Sequence, residues 1–172
     1  MRTREEKLDG LKMKMIAHDH GSPKRIQHFL KVHSFAVAIA KGEGVDEHTL
    51  FLLETLGYIH DIGIRIALER YGRCNGQLQE ETGPPAARVM LKELGYDEAD
   101  IDRICLIIEN HHTYTADIDG ADFQILLEAD ACVNMYEKES SEHSIRAMLR
   151  NVFKTKTGRL IYQTMFDIEP DA

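Results

Sequence analysis

The chain has few cysteines, no excess of positive charge and no long apolar run, and each shortage excludes something. Cys74, Cys105 and Cys132 are scattered, odd in number and never spaced C-x-x-C. That argues against a disulfide framework or a cysteine zinc ribbon and fits reduced thiols in a cytoplasmic protein. Lys and Arg total 21 against 29 Asp and Glu, for a net charge of −8. A protein that tracks duplex DNA or RNA needs a basic footprint, which is missing here. A small anionic substrate remains compatible if local cations or a metal hold it. Met1-Arg2-Thr3-Arg4-Glu5-Glu6 offers no apolar signal region. No apolar stretch approaches the roughly 20 residues of a membrane span. Strand-like alternation is nearly absent, as are repeats, low-complexity tracts and interdomain linkers. What remains is a chain of 172 residues, 43% hydrophobic and 29% charged. Residues 1–172 are expected to form one all-α, compact multi-helix domain with a short N-terminal helix and a C-terminal tail.

Helical periodicity sets the expected elements. The first helix covers about residues 3–19, with Leu8, Leu11, Met15 and Ile16 on one side. Gly21-Ser22-Pro23 ends it and starts a second, with Ser22 as N-cap and Pro23 as first helical residue, running to about Lys41. Asp46 caps a third helix carrying Leu50, Leu53, Leu56 and His60. The segment Gly63 to Gly83 reads as irregular beyond Tyr71, a candidate lid or binding loop. Gly83-Pro84-Pro85 starts a further helix that stops near Gly95; others run from about Asp97 to His112 and Asp122 to Glu137. Ser140 or Ser141 caps another helix, Thr157-Gly158 breaks the pattern, and Arg159 to Phe166 forms a short helix or strand.

Tyr58-Ile59-His60-Asp61-Ile62-Gly63 places an imidazole and a carboxylate on adjacent residues at the end of an apolar helical run. Neighbours on a helix point about 100° apart, so they form no i,i+4 ion pair, but both can converge on one ion at the helix terminus. A buried carboxylate is costly unless it is paired or metal-bound, so the doublet asks for further ligands. Among nine histidines, His48 and His143 lie in polar surroundings and read as surface residues, while His18 and His20 sit at a helix end and complement its dipole. His28 shares an apolar face with Val32, Phe35 and Ile39, but His33 shares another with Ile26, Leu30, Val37 and Ala40, and periodicity does not choose between them. Asp130 lies among Phe123, Leu126, Leu127 and Val133, where either a salt bridge to Arg103 or Arg146 or a metal would satisfy it. Glu109-Asn110-His111-His112-Thr113 gathers more polar groups at a helix end than capping requires.

Together these motifs resemble the HD superfamily of metal-dependent phosphohydrolases. The resemblance rests on Arg25-x-x-His28-x-x-x-Val32-x-x-x-Ala36, His60-Asp61-Ile62-Gly63 and Ala129-Asp130, in that order, and spans about residues 22–137. It selects His28 over His33, because Arg25, Val32 and Ala36 match the pattern around it. It implies an all-helical fold with His28, His60, Asp61 and Asp130 as ligands of one divalent transition metal, and two imidazoles with two carboxylates suit Mn, Fe, Co, Ni or Zn. Some relatives, including symmetrical dinucleoside tetraphosphate hydrolases, carry two more histidines and a second metal. His112-Thr113 matches the later position, while Gln79-Glu80-Glu81 offers no histidine at the earlier one. The implied arrangement is one principal metal, with a weaker second site formed by His112 and Glu80 or Glu81.

The expected reaction is attack of a metal-bound water on phosphorus in a small phosphate ester, a nucleotide or a dinucleotide. Asp61 would orient the water, His112 or His111 would stabilise charge or protonate the leaving oxygen, and Arg25 and Arg65 would neutralise phosphate. The alternatives are a non-catalytic nucleotide-binding sensor and, less favoured, a di-iron oxygenase. The sequence leaves the oligomeric state open; a homodimer would use the first helix and the tail with Ile161, Tyr162, Met165 and Phe166. Neither duplex nucleic acid nor a membrane is an expected partner.

Overall fold

The computed structural model describes residues 2–114 and 116–169. Their backbone forms α1 (Arg4–His18), α2 (Pro23–Glu43), α3 (Glu47–Ile59), α4 (Gly63–Tyr71), α5 (Gly76–Leu94), α6 (Glu98–Asn110), α7 (Ala121–Glu137), α8 (Glu142–Val152) and α9 (Lys156–Phe166). No strand occurs among the described residues. No described helix is long and apolar enough to cross a membrane.

Helices α2, α3 and α7 pack on one another at the centre. Asp46 starts α3 as expected, its carboxylate accepting from the backbone N–H groups of His48 and Thr49. From Phe51 onward nearly every α3 residue is buried, as befits a helix apolar all round. Gly57 lets α2 cross it closely, since a Cβ there would lie 2.6 Å from the Cα of His33. Helix α7 is buried along most of its length from Asp122 to Val133. Its Glu128, fully buried, accepts from the backbone N–H groups of Lys154 and Thr155 and from Gln124, which ties the α8–α9 connection to the core.

The segment 63–83 departs from the sequence expectation. It is not a loop: α4 starts at Gly63, and α5 starts at Gly76 rather than Gly83, with the Asn75 side chain accepting from Leu78 N–H. Pro84 and Pro85 lie inside α5. Proline has no N–H and normally breaks a helix interior, but here packing against α4 and α6 holds it. The Thr82 hydroxyl contacts the carbonyls of Leu78, 2.6 Å away, and Gly63, 3.0 Å away. The two glycines permit close crossings: a Cβ at Gly63 would lie 2.7 Å from the Gln79 carbonyl oxygen, and one at Gly83 would lie 2.7 Å from Ile108 Cγ2.

Other boundaries shift for local reasons. Ser22 occupies the N-cap of α2 without a side-chain cap bond, so Pro23 alone marks the start chemically. Thr155 caps α9 by accepting from Gly158 N–H, so Thr157-Gly158 lies in a first helical turn, not a break. Gly158 faces Glu128, whose oxygen would collide with any Cβ there. Tyr162 is fully buried, its hydroxyl donating to Ile145 O, so it belongs to the interior rather than to a dimer face.

Candidate metal centre

Three buried segments of the core meet at one point. His28 comes from α2, Asp130 from the middle of α7, and His60 and Asp61 from the short turn between α3 and α4. His60 still has its N–H bonded to Leu56 O, so the doublet stands at the last ordered turn of α3. From outside, His18 Nε2 donates to Ile62 O over 3.0 Å. His18 therefore holds the turn beneath the doublet, a more specific role than complementing a helix dipole.

His28 Nε2 lies 3.2 Å and His60 Nε2 3.6 Å from Asp130 Oδ1, and the same nitrogens lie 3.4 and 3.5 Å from Asp61 Oδ2. His28 Nε2, His60 Nε2 and Asp130 Oδ1 are nevertheless buried without an aligned hydrogen-bond partner. A buried polar atom left unpaired costs about 1–3 kcal/mol, so three converging in one place need a common partner. The ring tautomers specify which kind. His28 Nδ1 lies 2.9 Å from Glu137 Oε2, and His60 Nδ1 lies 3.2 Å from Leu56 O. Each Nδ1–H donates outward, which turns the Nε2 lone pair inward. Two inward lone pairs beside two carboxylate oxygens form a donor set that fits a divalent cation.

Asp61 also faces a second group. Its Oδ1 lies 3.3 Å from His111 Nε2, and Asp61, His111 and His112 bring ligand-capable atoms within 4.8 Å of one another. His111 Nδ1 lies 2.8 Å from Ile108 O, and its Nε2 is turned inward onto Asp61 Oδ1. His111 is thus part of the cluster geometry, a role that sequence reasoning restricted to catalysis. Glu80 and Glu81, the expected substitutes for a missing histidine, are occupied elsewhere. Glu80 accepts from His112 N–H and the Thr113 hydroxyl, and Glu81 accepts from the Tyr71 hydroxyl. Gln79 Oε1 lies 2.8 Å from His112 Nε2. The start of α5 therefore clamps the His112-Thr113 turn instead of adding a carboxylate to the second group.

The charges are strongly coupled to this geometry. Burial is the largest single influence on His60 and opposes its charged form, yet the Asp61 and Asp130 carboxylates outweigh it and push its pKa well above the ordinary value. His28 is raised in the same way, against burial, by Asp130 and Asp61. Burial would raise the two carboxylates, but the facing histidines hold both well below the usual range, His60 and His111 acting on Asp61, and His28 and His60 on Asp130. Without a metal, protons supply the positive charge that the cluster favours. His112 behaves differently: burial, reinforced by His111, lowers it to about 4, so it is neutral at pH 7.

The remaining expected residues separate. His33 stacks on Tyr58 at 4.0 Å and faces Glu54, on another side of α2. Arg103 pairs with Asp122 and Arg146 with Glu142, so neither neutralises Asp130. His48 is half exposed but paired with Asp100 at 2.8 Å, while His143 is exposed as expected. A cleft of about 150 Å³ beside His28 and Asp61 is lined on its polar side by Asp19, Lys24, Arg25, Asn134, Glu137 and Lys138. Arg25 lines it while bound to Asp19 at 2.7 Å. Arg65 instead bonds Glu69 and His20 O and lines a neighbouring depression that it shares with Arg25. Lys24, Lys138 and Glu137 were not singled out by the sequence reading. The available signals were the position of Lys24 beside Arg25 and that of Glu137 two helical turns beyond Asp130.

A family model for the HD domain matches residues 25–149. Among solved structures, a predicted HD superfamily hydrolase from an uncultured Thermotogales bacterium is 22% identical with a TM-score of 0.64, covering 95% of this chain and 84% of its own. YpgQ of Bacillus subtilis is 18% identical with a TM-score of 0.65, covering 96% of this chain and 92% of its own. At these identities the likeness establishes the fold. No curated protein matches the chain in sequence.

Proposed function

The chain belongs to the HD domain family, and from that membership we propose that it is a divalent-metal-dependent phosphohydrolase acting on a small phosphate ester, a nucleotide or dinucleotide. The observation that carries the reading is the convergence of three buried, unpartnered donor atoms, His28 Nε2, His60 Nε2 and Asp130 Oδ1, with Asp61 Oδ2 beside them. These residues would hold one principal ion, and a transition metal suits two imidazoles with two carboxylates. When bound, such an ion supplies Lewis acidity, which eases ionisation of a water and polarises a phosphoryl oxygen.

The chain's own groups supply the rest. Asp61 is the carboxylate with one oxygen toward the principal cluster and one toward His111, which supports a role in orienting a water. His111, buried against Asp61, is the group placed to stabilise charge or protonate the leaving oxygen. His112, lowered to about 4 by burial and His111, is a neutral imidazole at pH 7 and a poor general acid; it serves better as a hydrogen-bond donor or a weak ligand. Arg25, Lys24 and Lys138 at the cleft bring positive charge to an otherwise acidic chain, which suits a phosphorylated substrate. Arg65 is set back from this cleft and would act only on a distal phosphate.

Phosphate and pyrophosphate release should be assayed over a nucleotide and dinucleotide panel with Mn²⁺ added. The parent protein is expected to turn over at least one substrate, and the His60→Ala/Asp61→Ala variant none. Full activity in that variant would sink the reading, and tight nucleotide binding without turnover in the parent would replace it with a sensor.

A further inference from the structure

We propose that Glu137, anchored by Lys31, is a positioning residue that fixes the ring of His28 and so sets the affinity of the metal centre. The inference rests on the reading of His28 as a metal ligand and extends it. Glu137 Oε2 lies 2.9 Å from His28 Nδ1, and its other oxygen lies 2.6 Å from Lys31 Nζ. The carboxylate is largely buried, with 11% of its side chain exposed. Such a group is costly to bury unless its oxygens are used, and here His28 and Lys31 take one each.

The placement follows from helix geometry. Glu137 stands two turns after Asp130 on α7, so both carboxylates share one helix face. Lys31 stands one turn after His28 on α2, again on one face. One helix, α7, thus grips the imidazole presented by α2 at both nitrogens: Asp130 lies toward Nε2 and Glu137 toward Nδ1. The other histidines of the cluster use a backbone carbonyl for this purpose, Leu56 O for His60 and Ile108 O for His111. His28 alone among these three is oriented by a charged side chain. With Nδ1–H held by a carboxylate, the Nε2 lone pair stays directed into the cluster and becomes more basic. Loss of such an outer partner typically weakens metal binding by about 10–100-fold.

The test is a titration of the full-length, metal-free protein with Co²⁺ alone, read by calorimetry and by the visible absorption of the bound ion. Glu137→Ala is expected to raise Kd by about tenfold or more and to alter the Co²⁺ spectrum, a larger effect than its lowering of the melting temperature of the metal-free protein. Glu137→Gln, which can still accept from Nδ1–H, is expected to recover part of the affinity. A parent-like Kd in Glu137→Ala would overturn the proposal. So would a loss of affinity that Gln does not relieve and that comes with an equal loss of metal-free stability. If Glu137→Ala does not fold, Lys31→Met decides: a raised Kd supports the anchor, and a parent-like Kd overturns it. Failure of the parent itself to bind Co²⁺ would remove the proposed function, whereas equal binding by parent and Glu137→Ala removes only this inference.

Discussion

His28 and His33 are five residues apart on one helix, and their difference shows what decides a residue's role here. Helix α2 packs against both α3 and α7, so it carries two apolar strips with a histidine on each, and periodicity alone has nothing further to compare. The difference lies in what each ring meets. His28 meets two carboxylates of the cluster, whereas His33 stacks on Tyr58. Burial, assisted by Lys12, lowers His33 to about 4, against an ordinary value of 6.5. The unfolded chain therefore binds more protons than the folded one between those two values, and stability rises with pH across that interval. The contribution is fully present above about 6.5 and is lost as pH falls toward 4. Its size is on the order of 1–2 kcal/mol after allowance for the ring's remaining solvent contact. Urea unfolding of the metal-free protein at pH 7 and pH 4.5 should show a smaller drop for His33→Gln than for the parent. An identical drop in both would assign the acid sensitivity to other groups.

At the scale of elements, the pairing of α4 with α5 connects fold to site. Gly63 follows the His60-Asp61 turn directly and lies against the backbone of α5. The same helix α5 then reaches the other side of the centre through Gln79 and Glu80, which hold His112. Gly63→Ala would place a Cβ 2.7 Å from Gln79 O and 2.9 Å from Gly83 N, both rigid backbone atoms. It is expected to cost about 1–3 kcal/mol, measured by urea unfolding, and to weaken metal binding because the doublet and the His112 clamp share that crossing. Parent-like stability would mean that α4 and α5 can separate without consequence. This pairing was the least legible part of the sequence. Gly-Pro-Pro usually starts a helix, and only tertiary contact, the crossing at Gly83 and the Thr82 hydroxyl bond to Gly63, lets α5 run through it. The helices with strong local signals were readable: Asp46 and Ser141 cap as expected, and Gly44 and Gly95 end helices in the left-handed conformation.

For the whole molecule, the all-α fold and its HD domain identity follow from features spread along the chain, and the same spread explains what stayed hidden. The principal cluster was legible because His60-Asp61 and Asp130 interrupt apolar helical patterns with groups that burial alone would not favour, while His28 was separable from His33 only by the motif of Arg25, Val32 and Ala36 around it. Glu137 was hidden because it stands near a helix end, where a carboxylate needs no explanation until His28 and Lys31 are seen beside it. The contact of Glu80 with the backbone N–H of His112 was hidden as well, because a backbone partner leaves no mark in the sequence. The central claim is that α2, α7 and the α3–α4 turn together build one divalent-metal site. The most direct test is Mn²⁺ binding stoichiometry by calorimetry on the parent and on the His60→Ala/Asp61→Ala variant, with circular dichroism confirming that both are helical. The account predicts one tight equivalent in the parent and none in the variant. A parent that binds no Mn²⁺, or a folded variant that binds it as tightly as the parent, would contradict it.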